Sequence, residues 1–351
     1  MIENILIFLI FLSVLIFVHE LGHFLFAKAL KVEVEEFGLG FPPRLISYKF
    51  RNTIYSLNLI PFGGFVKIRG ENDENDPLGF LNQPPIKKIL IVLGGVLFNI
   101  IFAYFIFSLG YLWGLPEYSG KLENITVLQV FSDSPAEKAG IKIGDKILYF
   151  KYNGEIIQIK NLYKLKEELK PYLGKELTVG VERGKEKFET KLIPEIKNGV
   201  GPLGIAFSSI KLEKKPFPSN FYYGFKRTYE TIYNIIFAFI DFITRLFKET
   251  KVAKEIVGPF GLYDIYTQMK TLGISYIFHF TALVSLNLAL INILPFPALD
   301  GGRFIIYFGE LIFRRKLSFK IENIINTAGF VILILLMIII TIKDVYNKIQ
   351  K

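Results

Sequence analysis

Ile5-Leu6-Ile7-Phe8-Leu9-Ile10-Phe11-Leu12-Ser13-Val14-Leu15-Ile16-Phe17-Val18-His19-Glu20-Leu21-Gly22-His23 decides how the rest of the chain is read. No residue from Ile5 to Val18 is charged, and the apolar run continues past the motif through Phe24-Leu25-Phe26. A helix of 3.6 residues per turn stacks positions i and i+4 on one face. His19 and His23 can therefore grip one metal ion, with Glu20 beside the open coordination position. This is the spacing of zinc hydrolases. Ionisable groups inside a lipid-compatible helix are costly, so their presence argues for function.

Composition points the same way. The 351 residues are 51% hydrophobic, with a mean hydropathy of +0.39, and several apolar runs reach the ~20 residues a bilayer span needs. The net charge of +10 is spread over membrane-flanking loops and one soluble insert rather than gathered on a motif, which excludes nucleic acid as a partner. With no cysteine, the chain has no disulfide, no thiolate zinc ligand and no thiol nucleophile. Any metal is left to His, Asp and Glu, and there are three histidines.

Outward from the motif, the expected architecture is a polytopic α-helical membrane protein. It has four transmembrane helices, a re-entrant β-hairpin and an inserted β-rich domain. The membrane core's first half is 1–115, with a first span at 4–30, a β region at 34–70 and a second span at 89–115. The first span lacks a basic leader and a small-residue cleavage site, so a removable signal peptide is not expected. The Lys and Arg residues from Lys28 to Lys88 mark the following loop as cytoplasmic and the N-terminus as outside.

Ile46–Phe50 and Ile54–Leu59 alternate around Arg51-Asn52-Thr53 as two strands, and Pro61-Phe62-Gly63-Gly64 interrupts the second. Such a hairpin either lines the cavity around the histidines or lies on the cytoplasmic face. If it receives a substrate strand, Ile54–Leu59 is the expected edge. Glu71–Pro77 reads as a solvated acidic turn. In the second span Gly94 and Gly95 permit close helix approach. Asn99 is either an interhelical hydrogen-bonding amide or part of the site.

Residues 120–210 turn charged and strand-like. Ser134-Pro135-Ala136 starts a short capped helix, and Asn153-Gly154 signals a hairpin. The succession of elements resembles a PDZ domain, and Gly201-Pro202-Leu203-Gly204-Ile205 looks like its carboxylate-binding loop. The module is either a peptide binder or a folded spacer. At 219–249, Lys226, Glu230, Asn234, Asp241 and Arg245 share one arc, the signature of an amphipathic interfacial helix. The second half of the core, 271–351, holds a third span at 271–299 and a fourth at 324–343. Pro295 and Pro297 break the third span near its end and deliver Asp300 to the depth of His19 and His23. His279, at the other end of that span, reads as a packing residue.

His19-Glu20-Leu21-Gly22-His23, Gly95-x-x-x-Asn99, the PDZ-like insert and Asn292-x-x-Pro295-x-Pro297-x-Leu299-Asp300-Gly301 together resemble the site-2 protease family of intramembrane zinc metalloproteases. They are most similar to the bacterial branch that cleaves anti-sigma factors. The resemblance implies one zinc ion on His19, His23 and Asp300, with Glu20 as catalytic base. It implies Asn99, Asn292 and Gly204 as substrate-binding residues, and a transmembrane substrate already trimmed on its outer side. It also implies a plasma-membrane location, with the PDZ-like module and both termini outside. Better-known Gram-negative members carry two PDZ domains, whereas this chain has room for one. The other readings are a catalytically inactive scaffold that recruits partners through the PDZ-like module, and a zinc transporter. An intact Glu20 argues against the first, and the single ligand set against the second.

Overall fold

A computed structural model describes residues 2–118, 125–131, 133–157, 165–184, 186–195, 201–246, 248 and 258–349. The chain divides into two compact units. The described residues of Met1–Ser108, Phe221–Tyr263 and Phe280–Ile349 form the first, and those of Leu109–Asn220 and Asp264–His279 the second.

Among the described residues, four helices are long and apolar enough to cross a membrane: α1 (Ile2–Ala29), α2 (Pro85–Trp113), α7 (Ile274–Ile293) and α9 (Phe319–Ile349). They match the four expected spans with shifted ends, and the shifts at the end of α2 and at both ends of α7 have local causes. α2 stops at Trp113 rather than 115, because Gly114 takes a φ of +105° and the chain enters a strand. The third span does not run 271–299. Gly273, at φ +108°, separates α6 (Pro259–Leu272) from α7, and α7 ends at Ile293 before Pro295 and Pro297. Proline lacks the N–H a helix interior needs. Asp300 then opens a helix of its own, α8 (Asp300–Phe313), which the sequence reading did not anticipate. α5 (Ser219–Leu246) is the expected amphipathic helix. Its charged arc is stapled by Lys226–Glu230 and Asp241–Arg245 at i,i+4 spacing.

The hairpin is larger than expected. β1 (Val34–Phe50) and β2 (Thr53–Ile68) each bend midway, at Pro42-Pro43 and Pro61. Proline cannot donate to a ladder, so the pairing breaks there and each strand serves as two. Val34–Leu39 pairs with Gly64–Ile68 on one side and, in the same direction, with Ile54–Leu57 on the other. Arg44–Phe50 completes the far edge by pairing with Thr53–Asn58. Ile54–Leu57 is therefore interior, and the expectation that it forms a free edge is corrected. The edge of this small sheet next to α1 is Gly64–Ile68. Phe24 of α1 locks onto the sheet by stacking on Phe37 at 4.8 Å and meeting Tyr55 at 5.9 Å.

The second unit contains a seven-stranded antiparallel sheet. Its strands are β3 (Leu115–Tyr118), β4 (Ile125–Val130), β5 (Lys146–Tyr152), β6 (Glu155–Ile157), β7 (Leu177–Arg183), β8 (Glu186–Leu192) and β9 (Ile205–Glu213). The order is β3-β9-β4-β5-β7-β8, with β6 paired to β5. The expected 120–210 is thus too narrow, because β3 and the end of β9 belong to the sheet. Asn153 and Gly154, both at positive φ, make the expected tight turn. Ser134 caps α3 (Pro135–Lys138) by accepting the Glu137 N–H. A second short helix in this unit is α4 (Leu165–Glu168). Val127, Phe150, Leu169, Val179 and Val181 fill the core.

Candidate metal centre

His19 and His23 lie one turn apart on α1, their Nε2 atoms 3.2 Å from each other. Asp300 Oδ2, at the first residue of α8, lies 3.0 Å from His19 Nε2 and 3.3 Å from His23 Nε2. Ligands about 2.0–2.1 Å from a tetrahedral zinc are spaced by about 3.3 Å, so the three donors trace three edges of such a tetrahedron. Asp300 Oδ2 is buried with no hydrogen bond aligned on it. Buried polar atoms normally have a partner, and a cation at this point would supply one. Among the described residues this is the one cluster of three His, Asp or Glu donors placed to share an ion, and His279 is outside it.

Both histidines have their remote ring nitrogens engaged by α2. His23 Nδ1 donates to the Ile91 carbonyl at 2.8 Å, which leaves Nε2 free for a metal. His19 Nδ1 faces the Asn99 amide at 3.3 Å, while Asn99 Oδ1 is buried without a partner. Amide O and N are assigned from the hydrogen bonds they satisfy. Turned over, Oδ1 accepts the His19 Nδ1–H and frees Nε2 toward the metal. Asn99 is fully buried, with its backbone carbonyl taken by Ser285 Oγ at 2.8 Å, and its amide stands beside His19 in the wall of the cavity. Asn292, at the end of α7, lines the same cavity, is half-buried rather than fully buried, and places Nδ2 3.3 Å from His19 Nε2.

α2 comes this close to α1 because the crossing point has no side chains. A Cβ on Gly22 would collide with the Gly94 carbonyl. One on Gly95 would lie 2.5 Å from His23 Nε2 and 2.6 Å from His19 Cε1. Gly95→Ala is expected to push both imidazoles off their donor positions and to weaken zinc binding on the order of 10–100-fold, as loss of ligand support does elsewhere. Competition with a chromophoric chelator measures this, and wild-type affinity in the variant would show that the crossing has slack.

The donors open onto a cavity of about 430 Å³, lined by Glu20, Asn292, Phe65, Val66 and Ile68 among others. A Cβ on Gly64 would stand 3.6 Å from Glu20 Cγ, so the sheet's inner edge runs directly beside this carboxylate. Two wall residues escaped the sequence reading. Glu71, expected in a solvated turn, accepts a 2.7 Å charged hydrogen bond from Arg303, which the sequence reading did not single out for the site. The spacing of Arg303, one turn after Asp300, was the available signal, but it speaks only once 300–313 is known to be helical. The loop after Glu71 is held by Arg69, whose guanidinium bonds Asp76 and Glu33 and keeps both carboxyls below their ordinary range. Gly204 does not join this cluster. It belongs to the second unit, where it has a φ of +68° and packs against Ser134 at the start of α3.

Comparison with known proteins gives a consistent result. The sequence profile of peptidase family M50 matches residues 7–336. A Clostridium perfringens (strain 13) protein, provisionally named a zinc metalloprotease, is 36% identical over 95% of this chain and 96% of its own length. Zinc metalloprotease RasP of Shouchella clausii is 27% identical over 98% of this chain and 99% of its own. The chloroplastic membrane metalloprotease ARASP of Arabidopsis thaliana is 29% identical over 97% of this chain and 78% of its own.

Proposed function

The chain belongs to peptidase family M50, the site-2 proteases, and from that premise we propose that this zinc metalloprotease cuts transmembrane segments of single-span proteins at a zinc held by His19, His23 and Asp300. The observation that carries the reading is the triangle of donor atoms, 3.0–3.3 Å on a side, beside Glu20. Zinc bound there supplies a Lewis acid and lowers the pKa of its water to about 7. Glu20 takes the proton from the attacking water and returns it to the leaving amine. Asn292 donates its amide N–H to the substrate backbone beside the reacting carbonyl. Asn99 fixes the tautomer and tilt of His19, in addition to the substrate contact expected from the resemblance. Cleavage of a purified transmembrane peptide, abolished by chelation and restored by zinc, tests the proposal, with Glu20→Gln as control.

A helical substrate must unwind before cleavage, and its freed backbone groups need partners. The Gly64–Ile68 edge, which borders the cavity, is suited to receive it as an added strand. Pro substitution along Phe65–Ile68 is then expected to impair cleavage at alternate positions at least tenfold more than Ala does, since only Pro deletes an N–H. Equal effects of Pro and Ala in folded, zinc-loaded protein would count against strand addition.

The basic loops after α1 and α8 support a topology with both termini and the second unit's sheet outside and the metal toward the cytoplasmic half. A reporter inserted at residue 160 is expected outside and one at residue 317 inside; either result reversed refutes this orientation. With that orientation, the PDZ-like module acts as a gate that admits substrates already trimmed on their outer side, an anti-sigma factor being the kind of substrate the resemblance suggests.

A further inference from the structure

Asp300 does not inherit its position from the helix before it. α7 ends at Ile293, the chain turns with Ala298 at φ +71°, and Asp300 opens α8 with no side-chain cap. Its carboxylate is therefore where the docking of α8 puts it. At 3.6 residues per turn, Asp300, Arg303, Tyr307 and Glu310 fall within an arc of about 80° on α8. Each of them is held by a different part of the first unit. Asp300 meets the histidines of α1, and Arg303 donates to Glu71 beyond β2 at 2.7 Å. The Tyr307 hydroxyl donates to Glu322 of α9 at 2.9 Å. Glu310 is ion-paired with Lys88 of α2, and its other oxygen accepts the Leu317 N–H at 3.2 Å. Lys88 Nζ also lies 4.3 Å from the centre of the Tyr307 ring.

The Lys88–Glu310 pair calls for a reason beyond stability. Lys88 is 1% exposed and Glu310 6%, so both charges are withdrawn from water. Desolvation of such a pair commonly cancels its attraction, and well-packed apolar residues of similar volume are as stable or more so. What an ion pair adds is register. A one-residue slip of α8 moves it by about 1.5 Å and turns it by about 100°, which breaks the bonds of both Tyr307 and Glu310, whereas an apolar contact tolerates partial slips.

We propose that Lys88, Glu310, Tyr307 and Glu322 are positioning residues that lock the axial register of α8 and thereby hold the Asp300 carboxylate against His19 and His23. The inference rests on the reading of Asp300 as a metal ligand.

The test uses the full-length protein in detergent. Zinc affinity is measured by chelator competition, kcat and KM on a transmembrane peptide, and thermal unfolding on the zinc-free form. Lys88→Met combined with Glu310→Leu is expected to keep the zinc-free unfolding temperature. Its zinc affinity should fall on the order of 10–100-fold, the usual effect of removing support behind a ligand, and kcat should fall with KM nearly unchanged. Lys88→Glu combined with Glu310→Lys restores the pair and should recover most of the affinity. Tyr307→Phe, which deletes one hydroxyl and leaves the ring, should move affinity and kcat several-fold in the same direction. Wild-type zinc affinity in the apolar double variant and in Tyr307→Phe overturns the proposal, as does a lowered unfolding temperature with unchanged affinity. If the apolar variant does not fold, Tyr307→Phe decides alone. Asp300→Ala separates the two readings. If it keeps zinc, the ligand assignment itself fails; if it loses zinc while the other variants keep it, only the positioning role fails.

Discussion

Glu20→Gln is expected to bind zinc as the wild-type protein does and to cleave about 10²–10⁴-fold more slowly, the range that a positioned general base contributes. Gln has the shape of Glu but cannot accept a proton at neutral pH. Glu20 is not among the donors that converge at the candidate metal position, so the exchange leaves the set of His19, His23 and Asp300 intact. Its neighbours on the sheet side tolerate an amide, because Gly64 offers no side chain to clash with it. Single-turnover cleavage beside metal analysis of the same sample makes the measurement. A variant that loses its zinc would show that Glu20 is structural at the site, and one that cleaves at the wild-type rate would remove it from the chemistry.

Asp300→Ala should have the opposite signature. Zinc stoichiometry collapses first, and activity follows it. Two imidazoles remain after the substitution, and a catalytic zinc is normally held by three protein ligands. The loss should not spread through the fold, because α8 keeps its attachments at Arg303, Tyr307 and Glu310. Circular dichroism and the zinc-free unfolding temperature are therefore expected to match the wild type while metal content falls well below one ion per chain. Unchanged stoichiometry with retained activity would exclude Asp300 from the ligand set and require a third donor elsewhere. Asp300→Asn, which keeps the shape and gives up the charge, should fall between the two.

What was legible in advance was local. The i,i+4 spacing of His19 and His23 is a property of any helix through them, and the apolar run from Ile5 ensures that a helix forms. The charged arc of α5 could be read for the same reason, and it becomes two ion pairs, each between residues one turn apart. The turn at Asn153-Gly154 follows from backbone sterics alone. The hairpin was only half legible. Its tip is local, but the pairing of Val34–Leu39 on both sides depends on two proline bends folding each strand back on its partner.

The sequence by itself determined the candidate chemistry: two histidines at helical spacing with a carboxylate between them, an absence of thiols, and an apolar run long enough to span a bilayer around the pair. The resemblance named Asp300 and Asn99 as candidates, but only the tertiary structure decided how they and their supports meet that pair. No periodicity connects Asp300 to His19, Asn99 to the far side of the same imidazole, or Lys88 to Glu310. These partners lie on separate helices, and their meeting depends on where α2 crosses α1 at Gly22, Gly94 and Gly95 and on how α8 is docked. Side-chain patterning records which face of a helix is buried. It does not record which other helix covers that face or at what axial register, because those are set by close packing among elements far apart in the chain.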